Sequence, residues 1–128
     1  MPETPFPIQQ YVIQEHTTAA DTHWDLMLEM GPALWTWRLP VRPEQIGNEA
    51  VQAQRISDHP LRFLNYEGPV QHGTGYVRIS DKGHFRICTQ TPDRLTVELS
   101  GRVLQGRFTL CSTDKPSLWS LQTETEQR

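Results

Sequence analysis

The chain has few cysteines and no long apolar run. Only two of its 128 residues are cysteine, Cys88 and Cys111, and neither lies in a CxxC pair or beside a histidine. A structural disulfide or a cysteine-ligated metal is therefore not expected, and we interpret both as buried thiols in a reducing compartment. No apolar run approaches the roughly 20 residues that cross a bilayer, and the first residues lack the features of a signal peptide. We expect a cytoplasmic protein that engages no membrane.

An excess of basic residues is also missing. The chain has 12 lysines and arginines against 15 aspartates and glutamates, which gives a formal net charge of −3. A protein that binds nucleic acid by bulk electrostatics needs a basic face, so the composition argues against this class. A site that holds one phosphate depends on local charge instead, and the net charge does not exclude it.

No window of the sequence predicts an amphipathic helix of ordinary length. The 10 prolines and 8 glycines divide the chain into short segments, which favours strands and turns. The length fits one domain. We therefore predict an all-β fold, a small closed or partly open β-barrel of about eight short strands with little helix. The predicted divisions are a flexible N-terminal arm (1–10), the barrel domain (11–123) and a C-terminal tail (124–128).

Short β-prone runs mark the strands. They cover residues 11–16, 23–30, 33–39, 50–56, 94–99, 102–111 and 117–123, with one helical turn in 43–49. Residues 76–89 predict a β-hairpin whose turn is Asp81-Lys82-Gly83. In 23–30 one face of the strand is apolar, and the other carries most of the polar side chains. We favour a barrel because that polar face requires a concave surface.

His23 and Asp25 form the first candidate site. Residues two apart in a strand point to the same side, with Cβ atoms roughly 6 to 7 Å apart, so both side chains can reach one ion. His16, at the end of the preceding strand, can complete a His-His-Asp set. Such a set suits zinc, manganese or iron(II) and leaves positions open for water or a phosphoryl oxygen. The alternative is that each histidine is a surface or hydrogen-bonded residue, because HxD alone is a weak motif.

Asp58-His59-Pro60 supplies a third histidine of interest. The proline disfavours helical geometry for His59 and favours an extended backbone, which helps to aim the imidazole ring. The same three residues are also typical of an ordinary turn, and their spacing alone does not decide between the two interpretations.

Taken in order, these motifs resemble the phosphoesterase domain of bacterial DNA ligase D and its free-standing homologues. That family reads approximately VVQxH, HYDxRLE, WAVPKG, EDHPLDYxxFEG, LxGxxLxGxWxL and WxL. The corresponding segments here are YVIQEH (11–16), HWDLMLE (23–29), WRLP (37–40), DHPL (58–61), YEG (66–68), LSGRVLQGRFTL (99–110) and LWSL (118–121). The resemblance extends over residues 11–122, and a set of matches in fixed order is far more specific than any one motif.

The resemblance implies a manganese-dependent activity that trims 3′ ends of DNA or primer strands, removing a terminal ribonucleoside and then the 3′ phosphate. It assigns His16, His23 and Asp25 as metal ligands, His59 as a phosphate contact or general acid, and Gln14 as a residue that supports the site and binds substrate. Manganese is the implied cofactor, with zinc or another transition metal as the alternative. The implied partners are the 3′ end of DNA or of an RNA-tailed primer, and a repair polymerase or ligase on other chains.

Three positions depart from the family pattern. Met27 replaces the arginine of HYDxRLE, Phe63 replaces the tyrosine of DHPLDY, and Val51 replaces an arginine eight residues before the DHP histidine. Loss of a guanidinium removes a strong phosphate contact, and methionine offers no substitute. The arginines that are candidates to restore a positive contact are Arg55 and Arg62, or else Arg38 and Arg42.

Three functions are consistent with these residues. The first is a metal-dependent 3′-phosphoesterase of DNA repair, favoured by the retained His-His-Asp set and His59, since buried polar groups without a use are costly. The second is a weakly active or inactive metal-binding relative that serves as a binding or assembly module in DNA end repair, favoured by Met27 and the negative charge. The third is a β-barrel interaction protein without a metal. We expect the enzyme.

Overall fold

Eight antiparallel strands close into a barrel in the computed structural model, which describes residues 8–70 and 75–124. The hydrogen-bonded order is β1-β2-β3-β4-β9-β8-β7-β6, and β6 pairs with β1 to close the sheet, while a two-residue strand, β5, adds to β6. The predicted barrel is thus confirmed. The strands are β1 (Gln9–Thr17), β2 (Thr22–Met30), β3 (Ala33–Leu39), β4 (Val51–Pro60), β5 (Gly68–Pro69), β6 (Tyr76–Thr91), β7 (Arg94–Gly101), β8 (Gln105–Ser112) and β9 (Leu118–Thr123).

Helical structure in the described residues is limited to two 3₁₀ turns, Pro43–Gln45 and Leu61–Asn65. The first lies within the segment where one helical turn was predicted, where Pro43 fixes a helical φ at the first position. The second follows Pro60 and was not predicted. Neither turn approaches the length and apolar character that a membrane-spanning helix requires.

The two faces of β1 and β2 belong to different apolar clusters. Ile13, Leu26 and their neighbours of the same parity fill the barrel interior. Val12 and Met27 point the opposite way. They form a smaller cluster with Leu34 of β3 and with Leu64, which lies in the second 3₁₀ turn. The polar face of β2 has the parity of Met27, so it lies on the outside of the barrel. Our prediction that this face looks into a concave interior is therefore wrong, although the barrel itself is right.

Several boundaries differ from the prediction. β1 begins at Gln9, so Gln9 and Gln10 belong to the barrel rather than to an arm, and both donate hydrogen bonds to Glu29. β4 continues through His59 to Pro60, so Asp58-His59-Pro60 is the end of a strand. Residues 1–7 and 125–128 of the predicted arm and tail lie outside the described residues.

The hairpin predicted at 76–89 is wrong. β6 is one continuous strand of 16 residues, and the chain reverses after it, between Thr91 and Arg94. A bulge at Ser80 changes the parity of β6, so Ile79 faces outward while Asp81 faces the barrel interior. Gly83 is needed for close packing rather than for a turn, because a Cβ there would lie 2.2 Å from the backbone oxygen of Ser100.

Asp81 is fully buried and organises the turn between β7 and β8. Its carboxylate accepts a hydrogen bond of 2.6 Å from the hydroxyl of Tyr11 and is surrounded by backbone N–H donors at 2.9–3.0 Å, from Lys82, Arg102, Val103 and Leu104. Burial and the bond to Asp81 raise the pKa of Tyr11. An Asp-Lys-Gly sequence that is typical of a turn therefore serves as an interior anchor.

The cysteines follow the prediction in part. Cys88 and Cys111 are both free thiols, as expected. Both are half-buried rather than buried. Cys88 lies at a bulge of β6, between Ile87 and Thr89, where the regular pairing with β7 is interrupted.

Candidate metal centre

Two neighbouring strands bring His16, His23 and Asp25 together on the outer face of the barrel. His16 pairs with His23, and Gln14 pairs with Asp25, in the antiparallel register of β1 and β2. One potential ligand atom from each of the three side chains lies within 4.8 Å of the others. The imidazole centroids of the two histidines are 4.7 Å apart. His23 and Asp25 are two residues apart on β2, and His16 lies opposite His23 on β1, so the three side chains converge on one point.

His23 has the environment of a metal ligand. Its Nδ1 lies 3.6 Å from a carboxylate oxygen of Asp21, and its Nε2 lies 3.9 Å from Oδ2 of Asp25. Nε2 is buried and has no hydrogen-bond partner among the described residues. A buried polar atom without a partner is uncommon and costly, and a ring nitrogen backed by a carboxylate on its far side is typical of metal-binding histidines.

The two oxygens of Asp25 have different neighbours. Arg38 lies opposite Asp25 on β3, and its Nε donates a hydrogen bond of 3.2 Å to Oδ1. Oδ2 is the oxygen that lies near Nε2 of His23. The carboxylate is nearly buried, so Arg38 compensates part of its charge while the second oxygen remains directed at the cluster.

Gly75 closes one side of the cluster next to His16. Its φ is +130°, a conformation that side chains rarely adopt. A Cβ at this position would lie 2.3 Å from the backbone oxygen of Thr17 and 3.0 Å from Nε2 of His16. The backbone at Gly75 therefore approaches His16 more closely than any larger residue would allow.

The three residues fit a divalent transition metal. Two imidazoles and one carboxylate match the donors that manganese, zinc and iron(II) accept, and they leave further coordination positions for water or substrate. The buried, unpartnered Nε2 of His23 is the observation that favours a metal over a purely structural cluster. The metal and its identity stay predictions.

Burial of His23 also gives a pH prediction. Burial lowers the pKa of His23 from its ordinary value of 6.5, with Asp25 opposing and Arg38 reinforcing the effect. Because the unfolded chain then binds the proton more readily, the stability of the metal-free protein should fall as the pH drops below about 6.5. We expect His23→Gln to make this fall smaller, measured by urea unfolding at each pH. An equal slope in both proteins would contradict the prediction.

His59 lies on the same outer face, opposite Leu34. Its Nδ1 lies 3.1 Å from the backbone oxygen of Ser57 and 3.0 Å from the hydroxyl of Thr36. A carbonyl oxygen only accepts, so Nδ1 carries a proton and Nε2 is the remaining polar atom of the ring. The ring of His59 thus contacts Thr36 on β3. Thr36 pairs with Met27, which is two residues from Asp25 on β2. Met27 and Thr36 therefore separate His59 from the His-His-Asp cluster.

The segment after His59 is held against β1 and β6 by partly buried hydrogen bonds. The side-chain amide of Gln14 donates to the backbone oxygens of Phe63 and Tyr66, and Nζ of Lys82 donates to that of Leu64. Gln14 is almost fully buried. The structure therefore shows Gln14 as a support for this segment, next to Asp25, and its predicted contact with substrate stays a prediction.

Two predicted departures from the family share one apolar cluster. Met27 is fully buried on the outer face, and Phe63 packs against the same cluster. The ring of Phe63 also contacts His59, with centroids 5.7 Å apart. The surface between the His-His-Asp cluster and His59 is thus apolar where the family pattern has a guanidinium and a phenol.

The arginines expected to restore a phosphate contact lie in different places. The guanidinium of Arg55 stacks on Trp35 and Trp37, at 5.1 and 4.9 Å from the ring centroids, and Arg55 pairs with Trp37 on the interior face. The structure therefore does not bring Arg55 to the cluster. Arg62 is exposed and stacks on Phe63, at the border of the site near His59. Val51 packs against the interior core, also away from the cluster.

Sequence reasoning did not single out three neighbours of the site. Asp21 and Thr36 were given no role, and Arg38 was one of four candidate arginines. The strand pairing gives the missing signal for two of them, because β3 runs antiparallel to β2 and places Arg38 opposite Asp25 and Thr36 opposite Met27. The pairing register was not available from periodicity alone.

Comparisons with known proteins found similar sequences. Two curated proteins named multifunctional non-homologous end joining protein LigD are similar: one from Pseudomonas aeruginosa, 29% identical over 123 residues, and one from Mycobacterium bovis, 32% identical over 111 residues. These matches cover 88% and 81% of this chain but only 14% of each relative. Residues 14–112 match the family described as the DNA Ligase D 3′-phosphoesterase domain, a span that includes the His-His-Asp cluster and His59. With most of its length in that match, the chain belongs to the DNA ligase D 3′-phosphoesterase domain family.

Proposed function

We propose that the chain is a metal-dependent 3′-phosphoesterase that acts on 3′ ends of DNA or primer strands during end repair. The observation that carries the proposal is the His16-His23-Asp25 cluster, in which His23 and Asp25 are buried and Nε2 of His23 lacks a hydrogen-bond partner among the described residues. Membership in a family described by this activity supports the same conclusion. Manganese is the metal we propose, with zinc or another transition metal as the alternative.

His16, His23 and Asp25 would hold the metal, which when bound supplies neutralisation of phosphate charge and activation of a water molecule. Asp21 and Arg38 would hold the ligands in place from outside the cluster. Because Nδ1 of His59 is engaged by Ser57 and Thr36, Nε2 is the atom that His59 offers to a phosphate oxygen or a leaving group. In its protonated form that atom donates a hydrogen bond and can transfer a proton.

DNA end joining is the proposed setting, because the relatives are named for non-homologous end joining. Those relatives are multifunctional by name, and the chain spans only a small part of each. We propose that this domain delivers a 3′ hydroxyl to the polymerase and ligase steps of end repair. The substrates would be a 3′ phosphate and a 3′-terminal ribonucleotide on a primer paired with a template.

The test uses four primer-template substrates of the same sequence. They carry a 3′ phosphate, a 3′-terminal ribonucleotide, a 5′ phosphate or no modification, and each is incubated with the protein and Mn²⁺. We expect phosphate or nucleoside release from the two 3′-modified substrates only. His59→Ala should reduce this rate by roughly 10²- to 10⁴-fold, the usual contribution of a positioned acid or base. Equal release from the 5′ phosphate, or release without metal, would contradict the proposal.

A second candidate is a metal-binding assembly module with little or no turnover. The specific observation that favours it is the apolar cluster of Met27 and Phe63, which occupies the surface between the metal cluster and His59. A protein that binds Mn²⁺ and 3′-modified primer-template, yet releases nothing from it over a long incubation, would select this alternative.

A further inference from the structure

Arg38 contacts the His-His-Asp cluster from the neighbouring strand. We infer that this arginine is the phosphate-binding cation of the site, so that its guanidinium holds a non-bridging phosphoryl oxygen next to the metal position. The inference rests on the proposed function and names the residue that grips its substrate. It differs from an exclusively structural role for Arg38, in which the side chain would only orient Asp25.

The hydrogen-bond geometry leaves most of the guanidinium available. Arg38 uses Nε to donate to Oδ1 of Asp25. A guanidinium has five N–H donors, and the four on the two Nη atoms are suited to a bidentate contact with phosphate. The side chain of Arg38 is 41% exposed while that of Asp25 is 5% exposed. Arg38 therefore spans from the buried ligand to the surface, where a phosphate would arrive.

The other cations near the outer face have different engagements. Lys82 donates from Nζ to the backbone oxygen of Leu64, and Arg62 stacks on Phe63. Arg55 lies on the interior face with Trp37. Arg38, in contrast, donates a hydrogen bond to Asp25, one of the three cluster residues. Arg38 is thus well placed to complement the charge of a phosphate at the cluster.

The sequence around the site is consistent with a relocated arginine. The family pattern HYDxRLE has an arginine where this chain has Met27, and the pattern WAVPKG has an alanine where this chain has Arg38. Met27 and Arg38 are near neighbours on the outer face, because Asp25 pairs with Arg38 and Met27 pairs with Thr36. The guanidinium that the family pattern places on β2 is thus replaced here by that of Arg38 on β3, which also lies beside the carboxylate of Asp25.

Inorganic phosphate is the probe for this inference, titrated calorimetrically into the protein at Mn²⁺ concentrations that saturate each variant. Arg38→Gln should bind phosphate roughly 10- to 100-fold more weakly than the wild type, the effect of losing a charged bidentate contact. Arg38→Lys, which keeps the charge but not the planar fork, should fall between the two. Met27→Arg added to Arg38→Gln should recover part of the loss.

Arg107→Gln is the matched control, because Arg107 is exposed on β8, across the barrel from β2. It removes the same charge and should leave phosphate affinity unchanged. Equal phosphate affinity in Arg38→Gln and the wild type would overturn the inference and leave Arg38 as a positioning residue for Asp25. Absence of phosphate binding by the Mn²⁺-loaded wild type would also overturn it. Failure of the wild type to bind Mn²⁺ at all is seen before phosphate is added and contradicts the proposed function instead.

Discussion

His23→Ala is expected to weaken Mn²⁺ binding by more than about 100-fold while the barrel remains folded. Changes to residues that merely support a metal ligand typically cost 10- to 100-fold in affinity, so loss of a ligand itself should exceed that range. The variant also removes a buried ring whose Nε2 lacks a partner among the described residues. Its metal-free form should therefore lose little stability.

His84→Ala is the matched control for this experiment. His84 is exposed on β6 and pairs with Gln10, at the other end of β1 from His16. Calorimetric titration with Mn²⁺ should give the same affinity for His84→Ala and the wild type. Equal affinities for His23→Ala and the wild type would show that the cluster is not the metal site, and would remove the basis of the proposed chemistry.

Asp81→Ala is expected to lower the free energy of unfolding by about 3–5 kcal/mol, the largest stability effect we predict for a single substitution. The carboxylate accepts the Tyr11 hydroxyl and backbone N–H groups, and removal leaves buried donors without an acceptor. Each such donor costs roughly 1–3 kcal/mol, and some recover part of this through water. Urea unfolding followed by tryptophan fluorescence measures the difference.

The isosteric Asp81→Asn variant separates charge from shape. It keeps the volume but replaces one acceptor oxygen with an NH₂ donor that faces donors, so it should also destabilise the barrel, by about 2 kcal/mol or more. Asp114→Ala in the exposed turn before β9 should change stability by less than about 0.5 kcal/mol. A wild-type-like Asp81→Ala would contradict the role of this carboxylate as an interior anchor.

Asp81 also shows where sequence reasoning reaches its limit. Most strands were predictable, because alternation of apolar and polar residues reports burial on one side of a sheet. The Asp-Lys-Gly segment was predicted as a turn, since each residue type is common in turns. Asp81 is buried instead, because its carboxylate accepts hydrogen bonds from Tyr11 and from residues 102–104. These donors are distant in sequence, so no local pattern reveals them.

The candidate site was predictable as a set of residues but not as a surface. Spacing placed His23 and Asp25 on one side of β2, and the structure brings His16, which was also predicted, beside them through the cross-strand pair. The periodicity of the sequence shows that a strand has two different faces, but it does not show which face lies inside the barrel. A bulge has the same effect on β4: Arg55 and His59 have the same parity in sequence, yet they lie on opposite faces because the register shifts between Leu34 and Thr36.

The most direct test of the central claim is phosphate release from a primer-template with a 3′ phosphate, measured for the metal-free protein, for the same protein after Mn²⁺ is added, and for His23→Ala with Mn²⁺. The proposed function predicts release only from the Mn²⁺-loaded wild type, with His23→Ala folded and inactive. A wild type that binds Mn²⁺ and the primer-template but releases no phosphate, or a His23→Ala protein as active as the wild type, would contradict it.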